Sequence, residues 1–425
     1  MESSVHKELA PVSTQRLELG MFVADLDCPW SETPFRFQGF EILSRSEIEL
    51  LQKYCTTVFI DPHFVSTVTL TRESMPDFST TDSTEVVESK RLALRELLTD
   101  SEPHVYSRQS DSRVDFSAAQ TAYEHASEQR EKLLAALRAK KPVRAAHCRG
   151  VVESIAVRAS DDPDAMIRAA MLSKRGDRAT DRSVSTAVWC AVFARYLELP
   201  PQMMVDLAVG GLLLDIGMQK LAPSLLDETT SYGKRQQLAM QAHVTLGREM
   251  LEGISNLPKI CVDMVVQHHV RPKGGGYPLG GAEGQRSAAG ILAGVVDQFD
   301  GMITGNSRRP PMAPSEALGT VSLASEASPL DTLVADQFVQ AIGRFPSGSI
   351  VELNSGEVGV VSVSDPDRRL RPTLHVVTKA DKSPTAVREI ALKSFQRDPS
   401  KSKALWIVRG HPPGAFGIEP KALFD

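Results

Sequence analysis

Apolar residues recur three and four positions apart through residues 150–345 of this 425-residue chain. One such segment runs through Val184 and Val188, and the Pro200-Pro201 pair separates it from the next. This spacing places the apolar side chains on one face of each helix, and the faces bury one another when helices pack side by side. The sequence therefore predicts a mainly α protein, built around a helical bundle with inward-facing sites.

Strand-like segments and a polar stretch precede the predicted bundle. Residues 14–70 have the order strand, turn, helix, strand, which predicts a small N-terminal α/β domain. Residues 71–116 are rich in Ser, Thr, Asp and Glu, which predicts a flexible linker with room for a short helix at Glu88–Leu98. Helix formers dominate residues 117–149. We expect a connecting helix there, packed on the bundle or used for self-association.

The pattern changes to β-branched residues after Pro346. The segments 349–353 and 358–363 lie on either side of Asn354-Ser355-Gly356, which predicts a C-terminal β-hairpin. We therefore assign residues 150–380 to one domain that ends with this hairpin. Residues 381–425 mix a strand-like stretch with Pro-rich turns, and we assign them no role.

The composition excludes several classes of protein. A formal charge of −5, without a dense Lys/Arg run, argues against nucleic-acid binding. The longest apolar runs are too short to span a bilayer, and the first residues do not resemble a signal peptide. The five cysteines are scattered without paired spacing, as expected of reduced thiols. We expect a cytoplasmic protein with neither nucleic-acid nor membrane partners.

Two adjacent imidazoles, His268 and His269, precede a glycine-rich loop that ends at Gly276-Tyr277-Pro278. Neighbouring imidazoles at the end of a helical segment can reach one point and bind a metal ion beside a substrate loop. The block resembles the signature of the HD-GYP family, His-His-Glu-x-x-Asp-Gly-x-Gly-Tyr-Pro. The resemblance implies a helical bundle of the HD superfamily. Members of the HD-GYP family hydrolyse cyclic di-GMP at two or three metal ions. The N-terminal unit resembles the small domain of unknown function that often precedes HD-GYP domains.

Five positions keep residue types that bind metal in that family. Asp215 lies in a Leu-Leu-Asp-Ile-Gly segment that resembles the family's His-Asp motif, and His243 lies in a segment similar to its His-x-x-x-Gly helix. The resemblance implies that Asp215, His243, His268 and His269 are the ligands of one metal ion and that Asp297 remains from a second. Such a set can bind one Fe, Mn or Zn ion. One divalent ion and no metal at all stay equal alternatives.

Four other family positions have lost their chemistry. Leu214 stands where the family has the His of its His-Asp pair, and Met218 stands where it has a Lys. Arg178 and Arg182 align with a Glu and a His that the family carries on an earlier helix. These side chains offer no lone pair to a hard cation. We hypothesise that one of the two arginines occupies the place of the second metal and neutralises the retained aspartates.

The loop and its surroundings keep part of the family's ligand-binding set. The matching residues are Arg271, Gly276, Tyr277, Pro278 and Arg309. Arginine recognises phosphate bidentately without a metal. The resemblance therefore implies that these positions can still contact a cyclic dinucleotide.

Three functions stay open, of which we favour the first. The chain acts without phosphodiesterase activity, as a cyclic di-GMP sensor or protein-interaction module. Alternatively it is a nucleotide-independent scaffold that binds a partner such as a GGDEF-type cyclase. In the third case it is a metal-dependent cyclic di-GMP phosphodiesterase with an altered, weakly active site. A homodimer is compatible with each of them.

Overall fold

A computed structural model describes most of the chain. The described residues are 9–19, 21–28, 40–42, 45–61, 84–107, 116–173, 178–222, 225, 233–272, 276–278, 286–306, 309–324, 328–364, 371–392 and 405–424. In chain order they form a small β-rich unit, a helical bundle and a β-sheet. The predicted fold class, mainly α with a small N-terminal α/β domain, is confirmed.

The bundle consists of helices that follow one another along the middle of the chain. In chain order the described helices are α1 (Arg45–Tyr54), α2 (Thr84–Leu98), α3 (Phe116–Arg138), α4 (Ala145–Asp161), α5 (Pro163–Leu172), α6 (Arg178–Tyr196), α7 (Pro201–Leu213), α8 (Lys234–Gln241), α9 (His243–Leu251), α10 (Lys259–Gln267), α11 (Ala288–Thr304), α12 (Pro314–Ala324) and α13 (Pro329–Ile342). A short 3-10 helix, Ile216–Lys220, follows α7. The α1 helix belongs to the N-terminal unit, whereas α2 to α7 and α9 to α13 contribute buried side chains to the core of the bundle. No residue of α8 is buried.

Four aromatic rings fill the centre of the bundle. Trp189 and Phe193 on α6 meet Phe299 on α11 and Phe338 on α13 edge to face, with ring centroids 5.3 to 5.4 Å apart. All four side chains are completely buried. Each such ring contributes up to about 3 kcal/mol by leaving water. This packing orients α6 and α11, which also carry residues of the candidate site.

Glycines let α7 and the following turn approach their neighbours at backbone distance. A Cβ atom on Gly211 would lie 2.8 Å from the carbonyl oxygen of Thr186 on α6, and one on Gly217 would lie 1.9 Å from that of His243. The Thr186 hydroxyl donates a hydrogen bond to the Gly211 carbonyl at 2.8 Å. The end of α7, and with it Asp215, is therefore held against α6 and the start of α9.

The N-terminal unit is an antiparallel sheet with one helix. The strand order is β1 (Ala10–Ser13), β4 (Thr57–Asp61), β2 (Phe22–Leu26) and β3 (Phe40–Glu41). Its core is separate from that of the bundle and includes Val23, Leu51 and Val58. The short strands β5 (Val143–Arg144) and β6 (Ile254–Ser255) form a parallel pair outside this unit.

Part of the predicted linker is ordered. Residues 71–83 and 108–115 lie outside the described residues, but α2 falls inside the predicted 71–116 stretch. Leu94 on α2 is completely buried in the core of the bundle, and Arg91 pairs with Glu198 at 3.3 Å. The short helix expected inside the linker lies within α2, whose few apolar side chains share one helix face and pack on the bundle. The predicted connecting helix at 117–149 corresponds to α3 and the start of α4, both packed on the bundle.

The C-terminal sheet is larger than the predicted hairpin. Strands β7 (Ile350–Leu353) and β8 (Val358–Val363) form that hairpin, and the full order is β10-β9-β8-β7-β11. The added strands are β9 (Thr373–Thr378), β10 (Pro384–Ala391) and β11 (Ile407–His411). The domain boundary placed at residue 380 is corrected, since β9 and β10 are paired strands on either side of it.

A buried carboxylate ties the end of the chain to this sheet. Glu352 on β7 accepts hydrogen bonds from Lys382, Arg409 at 2.9 Å and His411 at 3.0 Å. Burial alone would raise the pKa of Glu352, but these hydrogen bonds outweigh it and lower the pKa to about 2. The segment 381–425, to which we assigned no role, therefore contributes two strands to the sheet and three hydrogen-bond donors to Glu352.

One segment of the bundle is long and apolar enough to cross a membrane by composition. It comprises Pro201–Lys220, with a mean hydropathy of 1.2, and 61% of it is buried inside the protein. Burial of this kind is also typical of a central core helix, so the segment is weak evidence for a membrane span.

Substituting Gly217 tests whether the site depends on this close backbone approach. Gly217→Ala should lower the free energy of unfolding by about 2–4 kcal/mol, because the new methyl group overlaps the His243 carbonyl. The matched control is Gly150→Ala in the exposed interior of α4, where a Cβ meets nothing within 4 Å. Urea unfolding should show the control to be equal to or up to about 1 kcal/mol more stable than the parent. Equal effects of both substitutions would contradict this view.

Candidate metal centre

Four potential metal ligands converge where three helical segments end or begin. Asp215 follows α7, His243 opens α9, and His268 and His269 follow the last residue of α10. Each offers one ligand atom, and these atoms all lie within 4.8 Å of one another. The four residues are those that the sequence assigned to one metal ion. The fifth, Asp297 on α11, lies beside the group, 4.0 Å from the Nδ1 of His269.

Backbone carbonyl groups orient two of the imidazoles. The Nδ1 atoms of His243 and His268 lie 2.7 Å from the Met240 carbonyl oxygen and 2.8 Å from that of Val265. Because a carbonyl only accepts, both Nδ1 atoms donate, which leaves the Nε2 atoms with their lone pairs. These Nε2 atoms lie 3.3 Å apart. Two lone pairs thus face each other, an arrangement that a shared cation stabilises.

Burial keeps the imidazoles of His268 and His269 uncharged. It lowers the pKa of His268, and with the neighbouring His268 ring it lowers the pKa of His269 to about 2. Asp215 Oδ1 lies 3.5 Å from the Nε2 of His243 and 3.9 Å from that of His268. Ligand atoms bound to one first-row metal at about 2.1 Å lie roughly 3.0–3.4 Å apart. Neutral imidazoles with a carboxylate at these spacings fit one transition-metal ion.

A guanidinium lies among the carboxylates next to this group. Arg182 on α6 pairs with Asp297, with Asp215 at 3.5 Å and with Asp300 at 3.4 Å. Asp300 is completely buried, and its other oxygen accepts a hydrogen bond from the Trp189 indole at 2.9 Å. Arg182 therefore neutralises part of a buried acidic cluster without any metal ion.

The electrostatic consequences of this network are large. Burial alone would lower the pKa of Arg182, but Asp297, Asp215 and Asp300 outweigh it and raise the pKa. Burial alone would likewise raise the pKa of Asp297, yet Arg182 and the imidazoles hold it well below its usual range. Both partners are therefore charged throughout the neutral pH range.

The other replaced positions carry no metal chemistry. Leu214 is 2% exposed and belongs to the core of the bundle, and Met218 is half-buried on the 3-10 helix. Neither side chain can bind a hard cation or donate a proton. The first residue of α6 is Arg178, whose side chain lies outside the described residues.

The glycine-rich loop returns to the imidazoles. Gly276 passes so close that a Cβ atom would lie 2.0 Å from the His269 carbonyl oxygen, and the Tyr277 N–H donates to that oxygen at 3.1 Å. The Tyr277 ring packs on the His269 ring with centroids 4.4 Å apart. Pro278 follows directly, and residues 273–275 lie outside the described part of the chain. The loop thus covers one side of the metal-ligand group.

The two arginines expected to contact phosphate differ in their surroundings. Arg271 donates from Nη1 to the His268 carbonyl at 2.7 Å and so caps the end of α10. Its guanidinium also lies 3.0 Å from where a Cβ of Gly294 would be. Arg309 is exposed, and its backbone forms a bridge with Asn306. Arg309 is therefore the more available of the two for a solvent-borne anion.

The family matches agree with this architecture. Residues 166–332 match the family described as HD domain, and residues 9–148 match Domain of unknown function (DUF3391). The second match extends over α2, α3 and their surroundings as well as the N-terminal sheet. The chain therefore contains an HD domain, and DUF3391 precedes it. The predicted HD-GYP relationship is confirmed.

Curated relatives come from cyclic-dinucleotide metabolism. A cyclic di-GMP phosphodiesterase of Pseudomonas aeruginosa is 27% identical over 55% of this chain and 56% of the relative. A 3'3'-cGAMP-specific phosphodiesterase of Vibrio cholerae is 24% identical over 44% of this chain and 43% of the relative. The chain thus spans about half the length of these relatives. A solved HDG"Y"P protein from Bdellovibrio bacteriovorus has a TM-score of 0.41 and 15% identity, covering 78% of this chain and 99% of that one.

The sequence did not point to two residues of this site, one in the acidic cluster and one beside it. Asp300 lies three residues after Asp297, and Trp189 lies on the apolar face of α6. Spacing offered a signal, since residues 297 and 300 share one helix face. It could not reveal that Arg182 and Trp189 reach the same carboxylate from another helix.

Removal of the Arg182 charge should destabilise the protein far more than removal of a surface charge. In a metal chelator, Arg182→Met should cost about 2–4 kcal/mol, because the carboxylates lose their buried counter-ion. The control Arg149→Met breaks a pair with Asp206 in which the arginine is 38% exposed, and should cost at most about 1 kcal/mol. Urea unfolding at neutral pH measures both. A loss no greater than that of the control would show that the cluster does not need Arg182.

Proposed function

We propose that this chain acts in cyclic di-GMP signalling without phosphodiesterase activity, as a sensor of the nucleotide or as a protein-interaction module. The observation that carries the proposal is the Arg182 guanidinium paired with Asp215, Asp297 and Asp300. A two-metal hydrolase uses carboxylates of this kind to bridge its ions. In this chain the Arg182 guanidinium, which is covalently part of the protein, pairs with these carboxylates in place of a metal ion.

The charge of the site favours one metal ion over two. The carboxylates of Asp215, Asp297 and Asp300, opposed by Arg182, give a formal charge of −2. Metal-ligating imidazoles are uncharged. One divalent ion therefore makes the cluster neutral, whereas a second would leave an excess of +2 in a largely buried space. Repulsion from the fixed guanidinium adds to that cost.

The metal ion would be held by Asp215, His243, His268 and His269. Fe, Mn or Zn suits three imidazoles and a carboxylate. When bound, the ion supplies a Lewis acid and an attachment point for an oxygen ligand. The protein's own residues orient the imidazoles through backbone carbonyls and cover one side with Tyr277. They supply no proton donor at Leu214 or Met218.

A cyclic dinucleotide is the ligand that the relatives suggest, because both compared enzymes act on such molecules by name. Arg309 and the loop ending at Pro278 are the groups we assign to it, with Arg271 supporting the loop from behind. A GGDEF-type cyclase bound to the same loop is the alternative for a scaffold. A cytoplasmic location follows from this role, and a homodimer is compatible with it.

The retained ligand set favours one further candidate, a weakly active phosphodiesterase with an altered site. A single ion can polarise a phosphate oxygen, but it cannot also clamp the leaving oxygen as a metal pair does. We therefore rank this candidate below the sensor and the scaffold.

Metal analysis separates these readings. Compared with the parent protein, both purified without chelator, His268→Ala should contain one transition-metal ion per chain fewer. The control His125→Ala changes an exposed histidine on α3 and should contain as much metal as the parent. The double variant Arg182→His with Leu214→His should bind one ion more than the parent, because it removes the competing charge and adds two ligands. An unchanged metal content in the double variant would contradict the assignment of Arg182.

Nucleotide assays test the activity directly. Calorimetry should detect cyclic di-GMP binding, weakened about tenfold by Arg309→Ala through loss of a charged phosphate contact. Chromatography should find neither linear dinucleotide nor GMP. Turnover that disappears in His268→Ala would establish the enzyme instead. Absence of binding at micromolar nucleotide, together with a protein recovered by pull-down, would favour the scaffold.

A further inference from the structure

A second group of metal-ligating side chains lies in the N-terminal unit, far along the chain from the HD domain. Asp27 and Cys28 follow strand β2, and Cys55 lies between α1 and β4. One ligand atom of each lies within 4.8 Å of the others. The two thiol sulfurs are 3.4 Å apart. Two chain segments that are distant in sequence thus place sulfur and oxygen donors at one point.

The carboxylate of this group is already positioned. The amides of Thr56 and Thr57 donate to Asp27 Oδ2 at 3.0 and 2.7 Å, and the Thr56 hydroxyl donates to the same oxygen. Burial alone would raise the pKa of Asp27, but these hydrogen bonds together outweigh it and hold the pKa below its usual value. They act on one oxygen, so the other can bind a cation without breaking them.

The spacing of the donors matches a thiophilic ion better than a disulfide. Two thiolates on a tetrahedral zinc ion, at about 2.3 Å each, lie roughly 3.8 Å apart. The sulfurs of a disulfide lie about 2.0 Å apart. The observed 3.4 Å separation therefore requires an adjustment of only a few tenths of an ångström for an ion and a larger one for a bond. Thiolate and carboxylate are also ligands that zinc accepts together.

Access supports binding from solution. Cys55 is buried against the core of the N-terminal unit, whereas Cys28 is half-buried and Asp27 is exposed. The other cysteines, Cys148, Cys190 and Cys261, are buried in the bundle. Three protein ligands leave a tetrahedral ion one position open to solvent. We propose that Asp27, Cys28 and Cys55 form a second, sulfur-ligated site for a divalent ion of the zinc class.

Cobalt titration of the full-length protein, reduced with a phosphine, tests this proposal. Co²⁺ bound by thiolate gives a near-ultraviolet charge-transfer band, which the imidazole and carboxylate ligands of the HD domain cannot give. We expect a band that saturates at one equivalent, is displaced by Zn²⁺ and weakens as the pH falls, since both thiols must lose protons. Loss or retention of metal at the HD domain leaves this signal unchanged.

Substitutions identify the residues that give rise to the cobalt charge-transfer band. Cys28→Ala and Cys55→Ala should abolish it, while the control Cys148→Ala should keep it. Asp27→Asn should weaken cobalt binding about tenfold, because the amide oxygen can still accept from Thr56 and Thr57 but the free carboxylate ligand is lost. Absence of the band in the parent protein at excess cobalt would overturn the proposal. So would a band that survives Cys28→Ala, or a Cys28–Cys55 disulfide that forms in air while the reduced protein ignores cobalt.

Discussion

The Arg182 guanidinium, held among three carboxylates, is the interaction on which the centre of the bundle depends. Asp215, Asp297 and Asp300 approach it from the end of α7 and from α11, so one positive charge joins three helices. Without a counter-ion, these carboxylates would repel one another in a space where water screens them poorly. The same ion pairs therefore hold α6 against α7 and α11 and balance the charge of the site.

The orientation of the imidazoles depends on the backbone and not on Arg182. Carbonyl groups one helical turn before His243 and His268 accept from their Nδ1 atoms and so direct both Nε2 atoms to the same point. Gly217 and Gly276 let the neighbouring backbone come close enough to complete the group. These features come from helix ends and glycine contacts, which do not depend on a second metal. The orientation of the His243 and His268 imidazoles is therefore set by the fold itself.

The grouping of the metal ligands could be predicted from the sequence, because the short segments that carry them resemble motifs of the HD-GYP family. Asp215, His243, His268 and His269 were assigned together from short segments, and the structure brings them together. Pairing over long distances could not be predicted in the same way. Strand β11 joins β7 although residues 353 and 407 are far apart in the chain, and nothing local in residues 381–425 indicates a partner. The order of α2 likewise depends on a face that the bundle provides.

Asp215 links the two halves of the site, because its two oxygens serve different partners. Oδ1 faces the imidazoles of His243 and His268, whereas Oδ2 faces Arg182. A metal ion drawn to Oδ1 withdraws electron density from the carboxylate and weakens its attraction to the guanidinium. Arg182 likewise withdraws electron density from the Asp215 carboxylate and weakens its attraction to a metal ion. The two cations therefore compete electrostatically through one side chain, which makes metal affinity sensitive to any movement of α6.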